Sequence, residues 1–209
     1  MLQRTGGGPP LLALAIIVLA FSNVSAQDAP ARAEVNHEVV VHLLVTSDGA
    51  EGFPRVPPSL EGVVRQLKAT LPPSDYRLAA TFINRVRDGA SFELKTAGAA
   101  PFGPAPAAGP TLPASLSLVV SGVKLNDPAS AQPSINVQQF RLGMRVPIQT
   151  GSVKSDKGEG SYPVVQYDDE GLTTQLSVRE GEPTLVGTLN SIRPGQLFVV
   201  VVTIRRTGK

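Results

Sequence analysis

The sequence predicts a β-rich α+β fold: an N-terminal strand–helix–strand–strand unit over residues 35–96, then an antiparallel sheet or sandwich over 114–207. Three observations carry this reading. Helical periodicity is confined to one stretch at 60–71, whereas apolar and polar residues alternate through most of the rest. Glycine (20 residues) and proline (19) exceed ordinary usage for 209 residues, which implies many turns. The chain closes on Leu197–Ile204 (LFVVVVTI), apolar throughout, as a strand covered on both faces must be.

In the N-terminal unit, Val39–Thr46 is a nearly continuous apolar run and predicts a strand with two buried faces. A loop, Ser47–Pro58, leads to Ser59, which suits a helix N-cap with Glu61 in the first turn. Leu60, Val63, Val64, Leu67 and Leu71 form one helical face, Arg65, Gln66 and Lys68 the other, and Pro72-Pro73 ends the helix. Tyr76, Leu78, Ala80, Phe82 and Val86 then alternate with Arg77, Thr81, Arg85 and Arg87, as in a half-buried strand. If this strand shares a sheet with the first, the helix forms a right-handed crossover between parallel neighbours. Phe92, Leu94 and Thr96 continue after Asp88-Gly89. A three-residue loop, Asp88–Ala90, pairs Val86 with Phe92 and Arg85 with Glu93, which keeps each face consistent.

Ala97–Pro113 holds six alanines, three glycines and five prolines and reads as a linker or long loop. Beyond it only strands are expected. Leu116, Leu118 and Val120 alternate with serines. Ile135 and Val137 begin a strand that Phe140, Leu142, Met144, Val146 and Ile148 continue on the other parity, a phase slip at Gln138-Gln139 that marks a β-bulge. Gly151–Gly160 interrupts the pattern. Tyr162–Tyr167 is read as a short strand closed by an acidic turn, Asp168-Asp169-Glu170-Gly171. Leu172–Val178 then faces Thr184–Leu189 across Glu180-Gly181, with Leu176 opposite Leu185 and Leu172 opposite Leu189. Arg193–Gln196 is a turn by its Pro-Gly pair, and the last strand is placed centrally in a sheet.

The first 26 residues divide as a secretory signal does: Arg4, the apolar run Leu11–Phe21, and Val24-Ser25-Ala26 before the expected cleavage. Eleven apolar residues span about 16 Å as a helix against about 30 Å of hydrocarbon, so no stable transmembrane helix is expected after cleavage. The mature protein is therefore expected in the periplasm or outside the cell. It has no cysteine, hence no disulfide and no thiolate metal site. Without Arg4, 18 of the 19 basic residues balance 17 acidic ones, which gives nucleic acid no electrostatic footprint.

No catalytic, cofactor or metal site is nominated. His37-Glu38-Val39-Val40-Val41-His42 has one residue too many for the zinc-protease pattern, and on a strand its histidines fall on opposite faces. They are also the only two histidines, so a three-histidine site is excluded. A serine elbow and a phosphate loop are both lacking. Asp168, Asp169 and Glu170 read as a solvated turn, without the spacing of a calcium loop. Arg77, Arg85 and Arg87 are the one candidate partner surface, a solvated sheet face balanced by Glu93 or a contact for an anionic partner.

Thr173–Thr207 resembles the hairpin that closes the membrane domain of bacterial secretins. The matching pieces are Arg179-Glu180-Gly181-Glu182, Leu185-Val186-Gly187 and Val199–Thr203. The match covers about a sixth of the chain, and the paired glycines of the family are Val186-Gly187 here. The N-terminal unit is similar to the small periplasmic modules that precede that domain. The resemblance implies an envelope protein with protein partners, and the function expected is a non-catalytic interaction or assembly module. The alternative is an enzyme or small-ligand carrier with a site built from loops such as Ser47–Pro58.

Overall fold

The computed structural model of the chain describes residues 35–46, 53–71, 75–98, 113–126, 128–154, 161–190 and 197–207. The signal segment, Pro72-Pro73, nearly all of the Ala/Pro-rich stretch, the first half of the Ser47–Pro58 loop, residues 155–160 and the Arg193–Gln196 turn lie outside them. The described chain is mostly β. Strands β1 (Asn36–Thr46), β2 (Tyr76–Arg87), β3 (Phe92–Gly98), β4 (Ala114–Asn126), β5 (Ser134–Lys154), β6 (Ser161–Arg179), β7 (Thr184–Asn190) and β8 (Leu197–Thr207) are joined by one helix, α1 (Glu61–Thr70). They form two four-stranded antiparallel sheets, ordered β2-β1-β8-β7 and β3-β4-β5-β6.

The sheets face each other across one core. Val41 and Val202, Leu43 and Val200, and Val45 and Phe198 pair in the first sheet; Phe140 and Val120, Leu142 and Leu118, and Met144 and Leu116 pair in the second; all are buried. The expected bulge lies between Val137 and Phe140, where two residues of β5 face one of β6, and it returns Phe140 to the core. β8 is central and apolar on both faces, because a second layer covers its far side. There Leu60, Val63 and Leu67 pack on Leu44, Tyr76, Val199 and Val201. Helix periodicity alone picked out that face. Ser59 does not cap it: it sits in a 3-10 turn, Pro58–Leu60, and Leu60 holds the cap position without a side-chain bond.

Three expectations of local pairing are corrected. β1 and β2 are antiparallel, with Thr46 opposite Tyr76, so the helix is no crossover. The connection leaves and returns at the same end of the sheet, and Phe53–Arg55 runs beside β2 with the Leu78 N–H bonded to Pro54 O at 3.0 Å. The hairpins β2–β3 and β6–β7 do not form, because both turns carry the chain from one sheet to the other: Phe92 faces Val120, and Leu185 faces Val201. The acidic turn is absent too. β6 runs through it, with Asp168, Asp169, Glu170 and Gly171 opposite Val146, Arg145, Met144 and Gly143.

The two corners repeat each other. Arg87-Asp88-Gly89-Ala90 leads from the first sheet to the second, and Arg179-Glu180-Gly181-Glu182 leads back. Gly89 and Gly181 have φ of 78° and 76°, the left-handed region that glycine enters freely. In each corner the acidic residue's N–H bonds beside the sheet being left, Asp88 to Val35 O (2.9 Å) and Glu180 to Pro133 O (3.0 Å). Each glycine N–H bonds the sheet being entered, Gly89 to Val123 O (2.6 Å) and Gly181 to Ile204 O (2.7 Å). Strands β1–β4 therefore match β5–β8 with the two sheets exchanged, a pseudo-twofold arrangement of two interlocked halves.

Candidate functional site

The three arginines do not share a surface. An irregularity between Leu43 and Leu44 inserts one residue into β2, so Arg77 lies opposite the core residue Val45 while Arg85 and Arg87 lie opposite Glu38 and Asn36 on the outer face. Arg77 reaches Asp75 at 4.0 Å. Arg85 (3.6 Å) and Arg205 (Nε at 2.8 Å) flank the nearly buried Glu38 and share its charge. The histidines divide as their spacing requires. His37 is fully buried with Nε2 2.9 Å from Asp88 Oδ1, whereas His42, on the outer face, meets Thr81 Oγ1 at 3.0 Å and is held below its ordinary pKa by burial. Among the described residues no three His, Asp or Glu side chains converge as metal ligands.

The strongest electrostatics pin the two corners. Burial opposes ionisation of Asp88, but the Leu125 N–H (2.8 Å), the His37 ring and the nearby charges of His37 and Lys124 prevail and hold its carboxyl below the ordinary value. Glu180 is lowered mainly by the Arg206 side chain, whose Nε donates to both its oxygens at 2.8 and 3.0 Å, against the opposing effect of burial. Arg206 is raised in turn. These pairs tie the corners to β1, β4 and β8.

Two surfaces stand apart from this framework. The first is a groove of about 780 Å3 on the outer face of the second sheet. Its floor is one row across four strands, Lys95–Ser117–Gly143–Gly171. The rows on either side are Glu93–Val119–Arg141–Thr173 and Ala97–Ser115–Arg145–Asp169. Removing side chains from the middle of the floor leaves Arg141 and Arg145 as walls about 13 Å apart along the strand. Lys95 is bonded to Glu93 at 2.9 Å; Arg145 lies 3.8 Å from Asp169 and 4.9 Å above the Tyr167 ring. Arg141 is exposed and has no ion-pair partner among the described residues.

The second surface is a two-stranded ribbon. β4 stops pairing with β5 at Ser115–Arg145, yet β5 and β6 continue together to Lys154 and Ser161. Val153, Tyr162 and Val164 share the ribbon face that continues from Phe140, Leu142 and Met144, and they are 59, 66 and 43 % exposed. Sequence reasoning missed both surfaces. The outward set Arg141, Gly143 and Arg145 was visible as the complement of the core-facing set, but its partners were hidden once Asp168–Gly171 was read as a turn.

No family model and no curated protein matches the sequence. Among solved structures, the chain is similar to the type IV competence pilus secretin PilQ of V. cholerae, with a TM-score of 0.33 and 12 % identity, over 84 % of this chain and 58 % of that one. The chain thus spans well under two thirds of that protein's length. Among the described residues no helix is long and apolar enough to cross a membrane.

Proposed function

We propose that this is an exported, non-catalytic interaction module of the cell envelope whose β5–β6 ribbon contacts a protein partner. The observation that carries the reading is the exposed apolar face of Val153, Tyr162 and Val164 beyond the last strand that could cover it. Contact through the face is favoured over strand addition at the edge, because Asp168, Asp169, Glu170 and Pro163 on β6 discourage pairing. Export is supported by the signal pattern of residues 1–26. Association with a secretion channel is the narrowest form of the reading and rests on the resemblance of Thr173–Thr207 alone.

Photo-crosslinking in intact exporting cells tests it. A crosslinker at Tyr162 should capture one discrete envelope protein, and Val164→Asp should abolish the capture, while a crosslinker at Arg65 on the exposed side of α1 captures nothing comparable. Equal capture from both positions, or none from the ribbon, overturns the reading.

A further inference from the structure

We propose that the groove on the second sheet binds a carboxylate-bearing polysaccharide. The pseudo-twofold arrangement places this groove where α1 lies on the first sheet. Between the fourth and fifth core pairs from the corners, the row Leu78–Leu44–Val199–Thr188 matches Gly171–Gly143–Ser117–Lys95. In the first sheet that row is apolar at its centre and an apolar helix face seals it. In the second, glycines and a serine take the same places, so an apolar helix would find nothing to bury against. The occupant must be polar and must reach a floor that is bare of side chains at Gly143 and Gly171 and carries only a hydroxyl at Ser117 between them and Lys95.

Its chemistry follows from the walls. The Lys95–Glu93 and Arg145–Asp169 pairs compensate each other, which leaves Arg141 to receive one anionic group, with the fork geometry that holds a carboxylate through two bonds. Thr173 lies beside Arg141, Ser117 on the floor, and Ser115 and Asp169 along the opposite wall, groups that exchange hydrogen bonds with sugar hydroxyls. The groove crosses the four strands over about 14 Å. An acidic peptide is disfavoured: the groove runs across the strands rather than along an edge, so a peptide lying in it could not add to a ladder, and it offers no apolar pocket for side chains. A nucleic acid is disfavoured by Asp169 on the wall and by the lack of an open stacking platform, since Arg145 lies over the Tyr167 ring.

The test is affinity electrophoresis of the full chain through gels containing polygalacturonate, neutral dextran or single-stranded DNA. Retardation by polygalacturonate alone is expected. Arg141→Gln should weaken it about tenfold or more, as loss of a charged hydrogen-bonded pair does. Gly143→Val, which fills the floor without changing charge, should abolish it. A Cβ at Gly143 meets only the Ser117 hydroxyl, at 3.0 Å, and that hydroxyl can rotate away; thermal unfolding of both variants ensures that loss of retardation is read on folded protein. No retardation, equal retardation by DNA, or retardation that survives both substitutions in folded protein overturns the proposal. None of these residues lies on the ribbon face, so failure here leaves the crosslinking result independent.

Discussion

The outer faces of the two sheets occupy matching positions in the two halves of the molecule and have opposite fates. On the first, Leu44, Val199 and Val201 are fully buried under α1; on the second, Ser117, Gly143 and Gly171 stay open. Burying a leucine or valine contributes about 1.5–3 kcal/mol, so the first row favours a covering layer and the second supplies almost none of that drive. The connections differ to suit. Between β1 and β2 the chain makes an excursion that returns as a helix, whereas β5 and β6 run on as a ribbon. Side-chain size in one row thus decides whether equivalent backbone becomes a sealed layer or an accessible surface.

The largest expected effect breaks the sealed side. Leu67→Ala removes a side chain that is 2 % exposed from the helix–sheet contact and should cost about 2–5 kcal/mol in urea unfolding. A loss below about 1 kcal/mol would mean that the helix is dispensable to the first sheet. On the open side the sensitive place is the floor. A Cβ at Gly171 would lie 2.8 Å from the Leu142 carbonyl oxygen, which is backbone and cannot yield cheaply, so Gly171→Ala should cost about 1–3 kcal/mol by the same measurement. If Gly171→Ala cost less than about 0.5 kcal/mol, tight strand approach would not be the reason for that glycine.

Much of this contrast was legible in the sequence. The even apolar run of β8 announced two buried faces, the serine alternation in β4 announced one, and the phase slip at Gln138-Gln139 located the bulge. Strand partners were not legible, because an Arg–acid–Gly turn looks the same whether it closes a hairpin or a corner. What distinguishes them is where the glycine N–H goes, and Val123 and Ile204 are distant in sequence. The acidic run misled for a similar reason: three carboxylates in a row favour a turn locally, and only the register with Arg145 and Gly143 shows them to be strand. The groove needed two strands in register before its glycines could be seen to coincide. The recurrence of Arg–acid–Gly at 87–89 and 179–181 was the available hint of two halves.

A smaller effect tests what the halves share. Asp88 and Glu180 are both held below their ordinary values, so each binds fewer protons in the native protein than in the unfolded chain. Their stabilisation is present above the unfolded pKa of about 4 and is lost as pH falls through the lower native value. Asp88→Asn should cost about 1 kcal/mol at pH 7, a figure kept low because the side chain is 38 % exposed. The gap between variant and parent should close below about pH 4. Glu180→Gln, more enclosed at 17 %, should follow the same profile with an equal or larger gap. A gap that persisted at low pH would mean the carboxylates act through packing rather than charge.

The smallest effect sharpens the comparison most. Arg141→Gln changes an exposed side chain with no ion-pair partner among the described residues, and its stability should stay within about 0.5 kcal/mol of the parent. Leu44→Gln, on the same strand position one half away from the groove floor, should by contrast fall at the top of the range for buried polar groups, since the sealed row offers no water to its amide. Urea unfolding of the two variants side by side checks this. If Arg141→Gln were also destabilising, the arginine would be holding the sheet together, and the open row would be a structural feature rather than a surface kept clear for something else.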